Sequence, residues 1–273
     1  MKEIVEDGSK EKAIQKKANL NSSIEKALMI MEHMAVYGLP ESVPEICRKL
    51  DLNKMTAYKV IRTLEAGKYV RKNNNGKYVL TSRMFEYGSL FCNNNPLTHL
   101  FRQNTNMLLK IFPECEIYLG VLSGAFNGVY LSAAAVNEPY INSGTGFPLH
   151  ATAIGRVLLA NSPKEFKKDF FHKYEALNLK EFTSKTITDV EKLKIQLQKV
   201  KENGYSLNQG DYIANTYFVA TPVFGIQREV VAAISIGANR QVFEKYQARL
   251  IQKALAFSAR LSINMGCQPI SIK

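Results

Sequence analysis

Lys54, Thr56, Tyr58, Lys59 and Arg62 crowd into one short stretch of the chain, and Arg71, Lys72 and Lys77 follow soon after. Ammonium and guanidinium groups neutralise phosphate, while hydroxyl and methyl groups read base edges, so this mixture is the chemistry of nucleic-acid contact. Thr56 offers a hydroxyl and a methyl, Tyr58 a long hydroxyl, and Lys59 reaches either a guanine acceptor or a phosphate. From Arg48 to Arg83 there are ten basic residues (Arg48, Lys49, Lys54, Lys59, Arg62, Lys68, Arg71, Lys72, Lys77 and Arg83) against two acidic ones, Asp51 and Glu65. The competing reading is a solvated charged face with Tyr58 packed under neighbouring strands.

The surrounding pattern supplies elements that would position these groups. Ser42, Pro44 and Glu45 open a short helix whose apolar residues Val43, Ile46, Cys47 and Leu50 share one stripe. Asp51 and Leu52 break it, and Asn53 caps a second helix from Lys54 to about Glu65, with Ala57, Val60, Ile61 and Leu64 on its inner face. Tyr69 to Lys72 and Lys77 to Leu80 form a hairpin around an Asn-Gly turn. Ser22 and Glu25 read as the capping box of a preceding helix that carries Ile24, Ala27, Leu28 and Met31 as its apolar row and ends at Gly38. Helix, turn, helix and basic hairpin make a winged helix-turn-helix, whose second helix would enter the major groove.

With 273 residues, 46% of them hydrophobic, the chain has length for two separate cores, and a net charge of +12 favours an anionic partner. Nucleic acid is the natural candidate and a membrane is not expected, since a membrane surface would need a basic amphipathic helix or a lipidation signal and no window approaches the roughly 18 uninterrupted apolar residues of a span. Residues 1–20 are charged and lack the apolar stretch of a secretory signal, so they read as a flexible extension. Cys47, Cys92, Cys115 and Cys267 lie far apart, without metal-ligand or redox-pair spacing, and suit a reducing cytoplasm. No cofactor motif is present.

Beyond the hairpin, Met84 to Cys92 is helical, Asn93-Asn94-Asn95-Pro96 punctuates, and Leu97 to Phe112 resumes as helix. Ile117 to Leu122 and Val129 to Val136 are strands, separated by Gly124 and an Asn127-Gly128 turn. Ser162-Pro163 and Thr188-Glu191 start two further helices, the second closing at Gly204. Val219 to Phe224 and Val230 to Ile236 are strands, and Phe243 to Met265 is a long closing helix. The class is α+β, with a mainly antiparallel sheet flanked by helices. The expected divisions are an extension at 1–20, a winged helix-turn-helix at 21–81, a linker helix at 82–95 and a second domain at 96–268.

Three runs taken in order carry a family resemblance. They are Leu52 to Lys59, Gly146 to Ala160 (reading GFPLHATAIGRVLLA), and Thr186-Ile187-Thr188-Asp189, extended by Gly204-Tyr205-Ser206, Ala220 to Phe224 and Ala232 to Ser235. The chain resembles the IclR family of bacterial transcription regulators over about residues 20 to 266. The resemblance implies a GAF-like C-terminal effector-binding domain, a homodimer or tetramer, and binding to pseudo-palindromic double-stranded operator DNA. It also implies a pocket whose helix begins after Pro148, where the amides of Ala153 and Ile154 would receive a small organic acid.

Around that pocket the resemblance places His150, Gln209, Asp211, Phe218 and Ser235 as further effector-binding residues. Phe218 stands where sensors of two- and three-carbon acids carry a small thiol residue. With Tyr212 and Tyr217 nearby, that exchange points to an aromatic or sugar-derived acid. The regulator reads as a repressor. Two other readings remain open from the residues themselves: a constitutive DNA-binding protein whose second domain only oligomerises, and a GAF-type enzyme using His150 or Cys115. Neither His150 nor Cys115 has a partner group at catalytic spacing.

Overall fold

The computed structural model describes residues 20–124, 126–137, 139 and 141–268. Apart from Leu20, the extension expected over residues 1–20 lies outside them. The chain divides into two compact units between Leu90 and Phe91.

The first unit holds α1 (Ser22–Tyr37), α2 (Val43–Leu50), α3 (Lys54–Ala66), β1 (Val70–Lys72) and β2 (Tyr78–Leu80). At the start of α1 the cap is Asn21, not a Ser22–Glu25 box. Its side-chain oxygen accepts the Ser23 and Ile24 amides at 3.1 and 3.3 Å, and asparagine caps as well as serine does. The helix is also turned relative to its expected face. Ile30, His33 and Met34 are buried, while Ile24 and Leu28 are exposed.

The next two helices form as their stripes dictate. Ser42 donates both its amide and its hydroxyl to the Glu45 carboxylate, at 2.6 and 2.8 Å. Asn53 accepts the Met55 and Thr56 amides at 2.9 and 3.3 Å, and Ala57, Val60, Ile61 and Leu64 are all buried. In the hairpin, Val70 faces Leu80 and Lys72 faces Tyr78. Its turn is longer than a two-residue Asn-Gly turn. The Asn73 amide donates to Lys77 O, the Gly76 amide donates to Asn73 O, and Gly76 takes a left-handed φ of 74°, a glycine-closed loop of the next longer kind. Glu41 adds a bridge to Tyr78 on the other side of β2. A 12-residue helix, α4 (Arg83–Asn94), runs across the division and buries none of its residues.

The second unit is built on a six-stranded sheet in the order β5-β4-β3-β8-β7-β6. The strands are β3 (Glu116–Leu122), β4 (Asn127–Ala134), β5 (Gly146–Pro148), β6 (Ser206–Gln209), β7 (Thr216–Phe224) and β8 (Val230–Asn239). Every pairing is antiparallel. The helices are α5 (Pro96–Ile111), α6 (Ala153–Asn161), α7 (Lys164–Leu177), α8 (Val190–Asn203) and α9 (Arg240–Asn264).

Alternation along the strands splits the core in two. Ile117, Leu119, Val219, Ile234 and Ile236 pack with α5 and α9. Tyr118, Ala220 and Ala233 pack on the other face with α6 and with Phe170, Leu193 and Leu197 of α7 and α8. This is the α+β architecture that the sequence implies.

Three local readings are corrected. Asn127 and Gly128 lie inside β4, paired with Pro148 and Phe147 of β5. A Cβ on Gly128 would stand 2.1 Å from the Phe147 ring, so the glycine makes room for an aromatic neighbour instead of turning the chain. Ser162 looks backward, donating to Leu159 O at 2.9 Å, and caps nothing in α7. Asp189, not Thr188, caps α8 by accepting the Lys192 amide at 2.7 Å.

Candidate functional site

Two surfaces collect the residues singled out by their chemistry. On α3 the buried row leaves Met55, Lys59 and Arg62, at i, i+4 and i+7, along the outward face. Lys54 and Tyr58 flank that row and are also exposed, whereas Thr56 is half-buried. Arg71 and Lys72 are exposed on β1, and the Lys72 ammonium lies 5.9 Å from the Tyr78 ring centroid. Lys77 is differently placed, because its ammonium donates to Glu45 at 3.0 Å and ties the hairpin to α2.

Met55 is the residue that reasoning from polar side chains passes over. It is 68% exposed in the first turn of α3, although a thioether gains nothing from water. Its position off the buried stripe was legible, and its apolar character hid it.

The Ser42 amide and hydroxyl, then Lys77, pull the Glu45 carboxyl down to about 2 from an ordinary 4.5. A carboxyl depressed in the folded state stabilises it fully above the ordinary value and loses that contribution as pH falls from 4.5 towards 2. Docking of the hairpin on α2 is therefore expected to loosen over that acid window, and Glu45→Gln to remove the pH dependence. Amide exchange at Ser42, followed by NMR, checks it. Glu41 sits nearby in the same unit. Burial alone would raise its carboxyl, but hydrogen bonds from Lys49 and His33 outweigh burial and hold it low.

In the second unit, Thr152 caps α6. Its hydroxyl accepts the Gly155 amide at 3.1 Å and donates to Pro148 O at 2.8 Å. The first-turn amides of Ala153 and Ile154 have no partner within the helix, and both residues line a small cavity. Its other lining residues are the hydroxyl-bearing Tyr130, Thr152, Tyr212 and Ser235, with Asn208 and the apolar Ile141 and Phe218. Its volume is about 10 Å³, room for about one water molecule. A roomier groove of about 530 Å³ runs along α9, lined by residues such as Pro222, Phe224, Leu255 and Ile263. Apart from Arg228 it presents no charge, and no array of helix amides opens into it.

Of the residues expected around a ligand, Ala153, Ile154, Phe218 and Ser235 border the small cavity, and His150, Gln209 and Asp211 do not. His150 is buried with its Nε2 2.9 Å from Lys180 O, and its ring lies 5.9 Å from that of Phe182. Burial lowers its pKa, so it is neutral at pH 7. Asp211 turns instead to Arg156, with Oδ2 2.7 Å from the guanidinium. Arg156 is 1% exposed and also donates to Leu207 O at 2.8 Å. Burial pulls its pKa down and the Asp211 carboxylate works in the opposite direction. Gln209 is exposed, and its amide donates to Asp211 Oδ1 at 3.3 Å.

Tyr130, Ile141, Thr152, Asn208 and Tyr212 complete the wall. Asn208 shapes it by accepting the Gly210 and Asp211 amides at 3.1 Å and donating to Ala151 O. Tyr130 arrives through the pairing of β3 with β4, which no local motif announces. The alternative reading through Cys115 meets an obstacle. Its thiol is buried and pushed up to about 12, by burial and then by the carboxylates of Glu114 and Glu116, so it is protonated and a poor nucleophile. Among the described residues no cluster of histidine, cysteine and carboxylate side chains could hold a metal, and no helix is long and apolar enough to cross a membrane.

Comparison with known proteins adds to this geometry. The IclR helix-turn-helix domain model matches residues 23–74, and the model for the C-terminal domain of bacterial transcriptional regulator IclR matches residues 128–263. The HTH-type transcriptional regulator KdgR of Escherichia coli (strain K12) is 28% identical over 227 residues, covering 80% of this chain and 85% of that protein. The HTH-type transcriptional repressor AllR of Klebsiella pneumoniae is 25% identical over 271 residues, 96% of this chain and 95% of that one. An IclR homologue from Microbacterium hydrocarbonoxydans, crystallised with 4-hydroxybenzoate, shares the fold with a TM-score of 0.68 at 19% identity, covering 89% of this chain and 98% of its own. These relatives are regulators of transcription, not enzymes, and the two family matches fall in order along the chain. With a DNA-binding helix-turn-helix followed by an effector domain, the chain belongs to the IclR family of bacterial transcription regulators.

Proposed function

We propose that this regulator is a cytoplasmic repressor that binds a pseudo-palindromic operator as a homodimer or tetramer and responds to a small organic acid. The observation that carries the reading is the cavity at the start of α6, lined by the first-turn residues Ala153 and Ile154 and by four hydroxyl-bearing residues, Tyr130, Thr152, Tyr212 and Ser235. A helix N-terminus favours negative charge, and a carboxylate matches paired amide donors. The homologue crystallised with 4-hydroxybenzoate supports an organic acid as the class of ligand. The working divisions are a DNA-binding domain at 21–81, a linker helix at 82–95 and an effector domain at 96–268. Assembly is supported by the apolar residues that α1 and α4 leave exposed, Ile24 and Leu28 on one and Phe85, Leu90 and Phe91 on the other. A helix of α4's length is marginal alone in water, and a second copy would cover it.

Lys54, Thr56, Tyr58, Lys59 and Arg62 address the major groove, Arg71 and Lys72 the flanking phosphates, and Lys77 holds the hairpin in place. The test is binding of the full chain to its own upstream region, titrated with salt and repeated with a panel of organic acids. Specific, salt-dependent binding that one acid weakens is the expected result. Binding that no acid alters would leave a constitutive DNA-binding protein, the second reading of the sequence.

A further inference from the structure

Phe218 lies on the cavity side of β7, opposite Gly237 in the register of β7 and β8. A Cβ built on Gly237 would stand 2.0 Å from Phe218 Cε1 and 2.2 Å from Cδ1. The ring therefore rests in a recess that glycine alone leaves open, with the Tyr118 ring 6.1 Å away between centroids. Seated there, it borders a cavity of about 10 Å³, too small for any carboxylic acid, so one wall must give way for a ligand to enter. Phe218, Tyr130 and Ser235 are carried by β7, β4 and β8, which are bonded to strands on both sides. Ile141 and Tyr212 lie outside any helix or strand. Strand pairing thus holds the backbones of Phe218, Tyr130 and Ser235 and leaves the Ile141 and Tyr212 side as the wall to open, with the half-buried Phe218 ring seated on Gly237.

We propose that Phe218, seated on Gly237, is a fixed plug that sets the size limit of the effector, which is a short hydroxy or oxo acid and not an aromatic or sugar-derived one. This rests on the effector reading above. The carboxylate meets the Ala153 and Ile154 amides, and its hydroxyl or oxo group meets the hydroxyls of Tyr130, Tyr212 and Ser235. The slot that a second ring or a longer carbon chain would need is occupied by the protein's own ring. This reverses the expectation drawn from sequence, in which an added aromatic side chain suggested an aromatic ligand.

The experiment is calorimetric titration of the full chain, and of folded Phe218→Ala and Gly237→Ala variants, with lactate, glycerate, gluconate and 4-hydroxybenzoate. The wild-type chain is expected to bind a short acid and neither large one. Phe218→Ala should gain 4-hydroxybenzoate or gluconate binding by at least about tenfold. Gly237→Ala, which drives the ring into the cavity, should weaken the short acid by a similar factor while DNA binding persists. If Phe218→Ala does not fold, Phe218→Leu carries the same comparison. A wild-type chain that takes large acids as tightly as short ones, or a folded Phe218 variant with an unchanged size preference, overturns the plug and leaves the effector site standing. No binding of any acid by any folded protein overturns the plug and the effector reading together.

Discussion

Replacing Asp211 by asparagine is expected to cost the second unit about 3–5 kcal/mol, the usual penalty for leaving a buried charge without its partner. Arg156 is 1% exposed, cannot shed its proton, and already carries one guanidinium nitrogen, Nε, without a hydrogen-bond partner among the described residues. In a unit of this size the loss corresponds to a fall of roughly 6–20 °C in the melting temperature. Most of it should return in the double variant Arg156→Met/Asp211→Leu, because an apolar pair replaces a desolvated ionic one at little net cost. Thermal unfolding of the three proteins decides the matter. A loss below about 1 kcal/mol in Asp211→Asn would mean that the pair behaves as a solvated surface bridge.

Arg62→Ala is expected to weaken operator binding by about 1–3 kcal/mol, roughly 5- to 150-fold, if the guanidinium reads a base, and to relax specificity at that position. If it neutralises a phosphate, the salt slope falls by about one unit and specific and random DNA lose affinity alike. Its place on the outward row of α3, with no ion-pair partner among the described salt bridges, leaves it available for either. Met55 on the same row gives a complementary readout. Thymines it touches should lose affinity on replacement by deoxyuridine, which lacks the methyl, and Met55→Ala should abolish that difference. Unchanged affinity and salt slope in Arg62→Ala would remove this face of α3 from the interface.

The helices were legible because their information is local. A stripe such as Ala57, Val60, Ile61 and Leu64 needs only its own spacing, and Asn53 lies beside the amides it caps. Where neighbouring residues could each cap, as with Asn21 and Ser22 or Thr188 and Asp189, sequence offers no ranking, and a one-residue shift decides the starting turn. Gly128 was misread for a different reason. Asn-Gly is a turn signal taken alone, but the ring of Phe147 arrives from another strand and needs the missing side chain. The cavity shows the same division. Ala153 and Ile154 follow from one helix start, whereas Tyr130 reaches it through strand pairing and Ile141 from outside any strand, its amide donating to Tyr118 Oη at 3.3 Å. Arg156 hid inside an apolar run, and its partner Asp211 comes from the far end of the sheet.

The clasp between Arg156 and Asp211 has a second consequence, because each partner also bonds the backbone of β6, the last strand of the sheet. An outermost strand offers a row of open backbone groups on which another chain can build. Here three groups of that row are occupied. Leu207 O accepts from Arg156 at 2.8 Å, the Gln209 amide donates to Asp211 at 3.3 Å, and Gln209 O accepts from Lys185 at 3.1 Å. Leu207 and Gln209 are alternate residues, so these groups point the same way along the strand. At the opposite border β5 is three residues long and ends in Pro148, which has no amide to offer. The ion pair and Lys185 thus cover one border of the sheet while Pro148 blunts the other, and a variant without the pair exposes Leu207 O and the Gln209 amide to strand addition even where an apolar pair restores its stability.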